Sequence, residues 1–415
     1  MLPLFVPFAI VVCMSSESKK NCPFIFKDHR PFPFSYNPSI TLPPFHNRKR
    51  DTLDKKGILM NNKIKAIVFR GPGNMQIEEI DKPEAGPSDV VIKVKYSAIC
   101  GSELHTFRSG FGDAPGTVLG HEFIGEATEV GGSVEGIVVG DRVWGMSANV
   151  CGKCWYCESG HPERCSHVLE QVTGHGAPGG HAQYVLISNA MPGITLHKIP
   201  DSINDERGAL IEPFSVGCAE VAEAHLRKGD KVVVIGAGMI GNSIMQFAKL
   251  AGAEVLIADV VDSRLDIALR CGADHVVNSA KEDLLEAVQR IWGPNEWYFG
   301  PSGRADAVFD TAGVGNTLND AVGVIRAAGK LVLVAPSEKD INLNMYPVIF
   351  KNPEILVPMS GAYASQTIEA MSQGKLTVDP LISEIFPFNK AVEAFETQAN
   401  PAKGMKVLID MQNEE

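Results

Sequence analysis

The sequence predicts an α/β protein with two domains, one of them built on a doubly wound parallel sheet. The chain has 415 residues, 45% of them hydrophobic, which is enough to bury two cores. The segment DKVVVIGAGMIGNSIMQFAKLAGAEVLIADV has the pattern of a buried strand, a glycine turn, a helix and a second strand. Further strands are predicted in HVVNS, ADAVFDTAG and GKLVLVAP, with helical stretches between them, so the domain built on this sheet spans residues 213–350.

Residues 1–59 differ in composition from the rest of the chain. They hold eight of the 26 prolines and seven of the 19 phenylalanines, but one of the 40 glycines. Each proline removes a backbone donor, so we predict an unstructured extension. The apolar opening run is too short to span a bilayer and lacks the basic region and cleavage site of a signal peptide. The simplest hypothesis is a mis-called start, with the working protein beginning near Met60; a targeting segment is the alternative.

The charge of the chain argues against nucleic acid as a partner. The net charge is -11, and because residues 1–59 carry +5, the remainder carries -16. Such a body repels a phosphate backbone, and no membrane partner is expected either. Nine cysteines without regular disulfide spacing are typical of a reducing compartment, so a cytoplasmic location is predicted.

The glycine turn after the first strand of the sheet predicts a dinucleotide site. Gly236, Gly238 and Gly241 form the pattern GxGxxG, which allows a tight turn, close approach of the backbone to a pyrophosphate, and close packing of the helix. Asp259 ends the next strand, where a carboxylate can accept hydrogen bonds from ribose hydroxyls and repel a 2′-phosphate. NAD is therefore favoured as the cofactor, although Arg264 leaves NADP open.

Four cysteines within fifteen residues predict a structural zinc site. The segment CGKCWYCESGHPERC places them at CxxCxxCx7C spacing, as Cys151, Cys154, Cys157 and Cys165. Four thiolates complete the tetrahedral shell of zinc and leave no position for a substrate. An iron–sulfur cluster and four free cysteines are the alternatives.

A second set of residues predicts a catalytic zinc. Cys100 in CGSELH and His121 in GHE supply one thiolate and one imidazole. A catalytic zinc needs three protein ligands and one open position, so a third ligand must come from elsewhere. Glu212 in LIEPFSVG is the first choice and Glu122, beside His121, the second. Two zinc ions per chain are thus expected.

The order of these motifs resembles the zinc-dependent medium-chain dehydrogenase family. GHE, the four-cysteine loop, EPFSVG and the glycine turn follow one another as in that family, and the resemblance covers residues 63–412. It is strongest to the sorbitol, polyol and threonine dehydrogenases. It implies a GroES-like β-barrel catalytic domain (residues 60–212), a Rossmann domain (residues 213–350) and a return to the catalytic domain (residues 351–415). It also implies a homo-oligomer, either a dimer or a tetramer.

The resemblance also implies roles for residues near Cys100. Ser102 matches a hydroxyl that relays the substrate proton, and His105 would continue the path to solvent; a helix cap and a surface histidine are the alternatives. Glu103 stands where relatives most often have aspartate, and we interpret it as a brace of the metal loop. His181 stands where relatives commonly have an aromatic residue, and packing is its more common role.

These features together predict an enzyme that transfers a hydride between a secondary alcohol and NAD. A zinc site with a carboxylate resembles that of the polyol enzymes, so a polyol or sugar-like diol is the expected substrate. A 3-hydroxy amino acid of the threonine type is the main alternative. A zinc-free NADPH quinone or enoyl reductase and a non-catalytic dinucleotide-binding protein are others, but Cys100, His121 and the four-cysteine loop argue against both.

Overall fold

The computed structural model describes residues 62–413, except residues 111–112, 147–150, 162–163, 169, 338 and 359–362. The predicted N-terminal extension, residues 1–59, lies outside the described residues. Among the helices of the described part, none is long and apolar enough to cross a membrane.

The described part alternates strands with helices in its second half and is mostly strands in its first. The strands are β1 (Lys63–Gly71), β2 (Asn74–Asp81), β3 (Val90–Ala98), β4 (Glu122–Val130), β5 (Arg142–Gly145), β6 (Tyr184–Ile187), β7 (Leu196–Lys198), β8 (Lys231–Ile235), β9 (Glu254–Asp259), β10 (His275–Asn278), β11 (Asn295–Trp297), β12 (Gly300–Ser302), β13 (Ala305–Asp310), β14 (Ile325–Leu333), β15 (Glu354–Leu356), β16 (Ile382–Pro387) and β17 (Lys406–Asp410). The helices are α1 (Gly101–Ser109), α2 (Trp155–Glu158), α3 (Asp205–Gly208), α4 (Ile211–Ala224), α5 (Met239–Leu250), α6 (Asp262–Arg270), α7 (Leu284–Trp292), α8 (Thr317–Val324), α9 (Met345–Lys351), α10 (Ala364–Ser372) and α11 (Ala391–Ala399).

The second domain contains the predicted parallel sheet. Its six strands lie in the order β10-β9-β8-β13-β14-β15, and every neighbouring pair is parallel. Val232 and Val234 of β8 pack in the same core cluster as residues of α5 and α6, whereas Val233 packs with residues of α7 and α8. Because both faces are covered, the strands are continuous apolar runs, as the sequence shows. The expected doubly wound sheet is confirmed.

Strand β15 lies beyond residue 350, where the sequence predicts that the chain leaves this sheet. Its three residues, Glu354–Leu356, pair with β14 and form one edge. The strand is short and mostly exposed, so its sequence carries no clear signal. The sheet therefore extends a few residues past the predicted boundary.

The first domain is built around a seven-stranded sheet in the order β16-β17-β3-β4-β5-β7, with β6 paired to β3. Strand β17 pairs antiparallel with β3, so the C-terminal part of the chain joins the sheet of the first domain. Phe69, Ile92, Phe123 and Val407 share one buried apolar cluster. Since strands from both ends of the described part share this core, it fixes the ends of β3 and β4, where the candidate site lies.

Candidate functional site

Strand pairing explains why Cys100 and His121 meet. Cys100 follows β3 and is the N-cap of α1, while His121 comes directly before β4. The two strands are antiparallel neighbours, and Ala98 at the end of β3 is paired with Glu122 at the start of β4. Ligand atoms of Cys100, His121 and Glu122 all lie within 4.8 Å of one another. A thiol, an imidazole and a carboxylate are thus brought together at one point of the first domain.

The electrostatics of this point favour a cation. Burial would lower the pKa of His121, but the neighbouring Cys100 and Glu103 outweigh it and raise that pKa well above its usual value. The groups around His121 thus stabilise a positive charge at this point even though it is buried. Sulfur, nitrogen and oxygen donors in this combination suit zinc.

Glu103 is a fully enclosed carboxylate that braces the loop of Cys100 and the loop of His121. Its Oε2 accepts a hydrogen bond from the Cys100 N–H at 3.0 Å, and its Oε1 accepts one from the Gly120 N–H at 2.8 Å. Nδ1 of His121 lies 3.2 Å from Oε1. Burial alone would raise the pKa of Glu103, but the imidazoles of His181 and His121 hold it well below its usual range.

The two candidate carboxylate ligands differ in their surroundings. Both oxygens of Glu122 accept hydrogen bonds from Nζ of Lys406 on β17, at 2.6 and 2.8 Å, and both residues are buried. Glu212 stands in the first turn of α4 and lies outside the close group that Cys100 and His121 form with Glu122. Burial, with repulsion by Glu122, raises the pKa of Glu212 to about 7. The structure thus gives Glu122 a positive partner and leaves Glu212 a carboxylate that is costly to ionise.

Ser102 and His105, the residues expected to relay a proton, both lie on α1 next to Cys100. Ser102 is exposed in the first turn, and His105 is half-buried one turn later. Residues three apart on a helix lie on the same side of it. The two side chains therefore lie on the same side of α1, and their assignment as a proton relay stays a prediction.

Sequence reasoning missed three residues beside the site: Lys406, His175 and Asp113. The ring of His175 stacks on that of His121, with centroids 5.1 Å apart and an interplanar angle of 24°. Nδ1 of His175 lies 3.7 Å from a carboxylate oxygen of Asp113, which accepts a hydrogen bond from the Thr106 hydroxyl. No motif spacing marks these residues, because each reaches the site through a different loop or strand.

The four clustered cysteines lie together in the described part of the loop that follows β5. Their sulfurs all lie within 4.8 Å of one another, and Sγ of Cys154 is 3.5 Å from that of Cys157 and 3.9 Å from that of Cys165. Tetrahedral zinc with bonds of about 2.3 Å places its sulfurs about 3.8 Å apart, whereas a disulfide needs about 2.05 Å. Backbone N–H groups lower the pKa of Cys154 to about 5, while burial and the adjacent thiol of Cys154 raise that of Cys157 to about 12. The spacing fits a zinc ion with four thiolate ligands.

The glycine turn lies at the carboxyl end of β8, where the strand order of the sheet reverses. Gly236 has a φ of 104°, and a Cβ on Gly241 would lie 1.8 Å from the Gly236 carbonyl oxygen. Gly238 is the N-cap of α5, and a Cβ there would meet open space. The turn is therefore tight, closely packed on its helix and open on the side that a pyrophosphate would approach.

Asp259 joins the end of β9 to this turn. Its Oδ2 accepts a hydrogen bond from the Ala237 N–H at 2.7 Å, and its Oδ1 accepts one from the Val261 N–H at 2.9 Å. Nη1 of Arg264 lies 4.0 Å from Oδ2, and the buried Nε of Arg264 has no hydrogen-bond partner among the described residues. The carboxylate is thus oriented by two backbone groups at the position expected for a ribose.

Comparisons with known proteins agree with this architecture. Residues 86–201 match the alcohol dehydrogenase GroES-like domain, and residues 239–374 match the zinc-binding dehydrogenase domain. The chain is 32% identical to L-threonine 3-dehydrogenase of Rhizobium etli, over 85% of this chain and 99% of that protein. It is 30% identical to sorbitol dehydrogenase of Bombyx mori, over 84% and 99%. A Sinorhizobium meliloti protein whose structure was solved with NADP bound is 27% identical, with a TM-score of 0.73 over 84% of this chain and 99% of that one.

Proposed function

The chain belongs to the zinc-binding alcohol dehydrogenase family, and we propose that it transfers a hydride between a polyol or sugar-like diol and NAD. The observation that carries the proposal is the meeting of Cys100, His121 and a carboxylate in a chain that also has the glycine turn. The same observation opposes a zinc-free quinone or enoyl reductase, which has no use for these ligands. It also opposes a non-catalytic role, since a retired site would be expected to lose a ligand.

We propose Cys100, His121 and Glu212 as the protein ligands of the catalytic zinc, with Glu122 as the alternative third ligand. Both oxygens of Glu122 are engaged by Lys406, so its charge is already compensated. Glu212 has a raised pKa, and a neighbouring dication would stabilise its ionised form. Zinc at this point supplies Lewis-acid chemistry that makes the proton of an alcohol easier to remove. The four clustered cysteines would hold the second, structural zinc.

The residues of α1 would then handle the proton of the substrate. Ser102 is the hydroxyl nearest in sequence to the ligand Cys100, and His105 lies one turn further along the same helix. A hydroxyl can accept one proton while it donates another, and an imidazole exchanges protons near neutral pH. We assign Ser102 the first transfer and His105 the passage to solvent.

Asp259 supports NAD over NADP as the cofactor. Its carboxylate is held by two backbone N–H groups and keeps lone pairs for ribose hydroxyls. A 2′-phosphate would meet this negative charge at short range. Arg264 is the feature that would favour NADP, but its Nη1 lies 4.0 Å from the same Asp259 carboxylate, whose negative charge would stay close to a 2′-phosphate bound there.

A substrate screen tests the proposal directly. Purified protein loaded with zinc should reduce NAD in the presence of polyols such as sorbitol or 2,3-butanediol, with NADP a poorer acceptor and simple primary alcohols poorer substrates. Absorbance of the reduced cofactor gives kcat/KM for each pair. Activity with threonine alone would favour the second candidate, which the Rhizobium relative supports. Activity with quinones and NADPH but no alcohol would contradict the proposal.

We also propose that the protein is a homo-oligomer in which β15 pairs with β15 of a second copy. Among the described residues the strand is one edge of the sheet, and Ile355 on it and Ile349 on α9 are 49% and 65% exposed. An unpaired apolar edge favours association with another strand. The wild-type chain should therefore have the mass of a dimer or tetramer by light scattering, and Ile355→Lys should shift it toward monomer. A monomeric wild-type chain at micromolar concentration would contradict the proposal.

A further inference from the structure

We propose that His181 is a positioning residue of the catalytic zinc site, acting through Glu103 on both loops that carry the thiol and imidazole ligands. The inference rests on the proposed zinc site. The carboxylate of Glu103 contacts both the ligand His121 and the fully buried His181, and binding of zinc by the ligands does not by itself require the second contact. No metal ligation by His181 is implied.

The geometry around Glu103 shows how the two loops are linked. Besides the N–H groups of Cys100 and Gly120, the carboxylate is bonded to Nε2 of His181, which lies 3.1 Å from Oε2. Since a carboxylate only accepts, Nε2 of His181 must carry a proton and donate it. Oε2 therefore has two donors, one from the Cys100 loop and one from His181, while Oε1 faces Gly120 and His121. Without the His181 donor, Oε2 would be held by the Cys100 N–H alone, and the orientation of the carboxylate between the two loops would be less firmly fixed.

His181 is itself held from every side. It is fully buried, its Nδ1 lies 2.8 Å from the Ser97 hydroxyl, and its ring packs edge-on against Phe395. Its backbone N–H donates to the Leu119 carbonyl at 3.0 Å, and its carbonyl accepts from the Ile67 N–H at 2.8 Å. Both ring nitrogens therefore have a polar partner, Glu103 at Nε2 and the Ser97 hydroxyl at Nδ1. The imidazole is thus a rigid donor.

The backbone brings His181 unusually close to the loop before His121. Gly120 has a φ of 104°, and a Cβ built there would lie 2.4 Å from the backbone nitrogen of His181. A residue other than glycine would therefore push the two segments apart. This close approach allows one carboxylate to reach the Gly120 N–H and the His181 ring at the same time.

The length of Glu103 is a second requirement. Aspartate at this position would draw the carboxylate back by about one carbon–carbon bond, roughly 1.5 Å. The 3.1 Å contact with His181 would then exceed hydrogen-bond distance. Glu103 and His181 therefore act as a unit. Loss of such an outer partner commonly weakens metal binding by about 10- to 100-fold.

The test measures zinc release, which does not depend on turnover. Holoprotein is mixed with a coloured chelator, and the two zinc ions are followed as separate phases. His181→Phe keeps an aromatic ring against Phe395 but removes both side-chain hydrogen bonds, so the faster phase should accelerate by about 10- to 100-fold. The phase of the four-cysteine site should not change. His197→Phe is the matched control, because His197 is also buried, packs against Trp144 and has no contact with Glu103.

The double variant E103D/H181F shows whether Glu103 and His181 slow zinc release through one shared contact or independently of each other. If the residues act through one shared contact, the double variant releases zinc no faster than the worse single variant. A release rate in the double variant that is raised by the product of the two single-variant factors would overturn the proposal. H181Q retains an N–H donor and should restore slow release; equal release by H181Q and H181F would also overturn it.

Two further outcomes separate this inference from the proposed function. Wild-type protein that binds one zinc, held only by the four-cysteine loop, would overturn both. Wild-type protein with two zinc ions whose release is unchanged in His181→Phe would overturn the inference alone. Cobalt substitution gives an independent check, because a displaced His121 should alter the visible spectrum of the catalytic site in H181F but not in H197F.

Discussion

Replacing Cys100 by serine is expected to abolish turnover in a protein that remains folded. Cys100 is a half-buried side chain at the N-cap of α1, and the cores on either side of it are formed by other residues. Loss of the thiolate removes one of three proposed ligands of the catalytic zinc, so that ion should be lost while the other remains. The expected result is one zinc per chain, a nearly unchanged Tm and no measurable kcat.

Replacing Cys154 by serine is expected to reduce stability first and activity only as a consequence, unlike the replacement of Cys100. In its described residues, the loop that holds the four cysteines has little regular structure besides the four residues of α2, so the ion would supply much of its folding free energy. Stability or assembly should fall first, with activity lost only in proportion to the folded fraction. Cys271→Ala is the matched control, because Cys271 is buried at the end of α6 away from both sites. If Cys154→Ser left a stable inactive protein and Cys100→Ser an unfolded one, the assignment of the two zinc sites would be reversed.

The second domain was predictable from the sequence because its signals are local. Strand, glycine turn and helix follow one another without interruption between Lys231 and Leu250, and the parallel strands are buried on both faces. The membership in the zinc-binding dehydrogenase family was predictable for a related reason, since its motifs lie at fixed spacings. Strands β11 and β12 and the edge strand β15 were not predicted, because three-residue strands carry too little periodicity.

The surroundings of the candidate site were less predictable because they depend on distant parts of the chain. Lys406 reaches Glu122 only because β17 is paired with β3, which is itself paired with β4. His181 was interpreted as packing, and its burial agrees with that, but its bonds to Ser97 and Glu103 could not be read from spacing. Sequence motifs thus identify the candidate ligands. The pairing of distant strands decides which groups balance their charge and orient them.

The pair formed by Lys406 and Glu122 leads to the second large expected effect. Replacing Lys406 by methionine should lower the free energy of unfolding by about 3–5 kcal/mol, because it leaves the charge of Glu122 buried without a partner. Both side chains are nearly inaccessible, at 4% and 1% exposure, so water cannot replace the ammonium. Chemical denaturation of the holoprotein measures this loss. In the double variant E122Q/K406M the charge is gone as well, and most of the stability should return.

The same variants decide between the two carboxylates as zinc ligands. If Glu122 and Lys406 are a neutral pair beside the site, E122Q/K406M should still bind two zinc ions, whereas Glu212→Gln should lose the catalytic one. If Glu122 is the ligand, the pattern is reversed: Glu212→Gln keeps two ions and E122Q/K406M keeps one. Zinc content by mass spectrometry, with stability measured on the same samples, separates the cases, because K406M alone changes stability without removing either carboxylate. Loss of zinc in E122Q/K406M with retention in Glu212→Gln would therefore overturn the proposed ligand set.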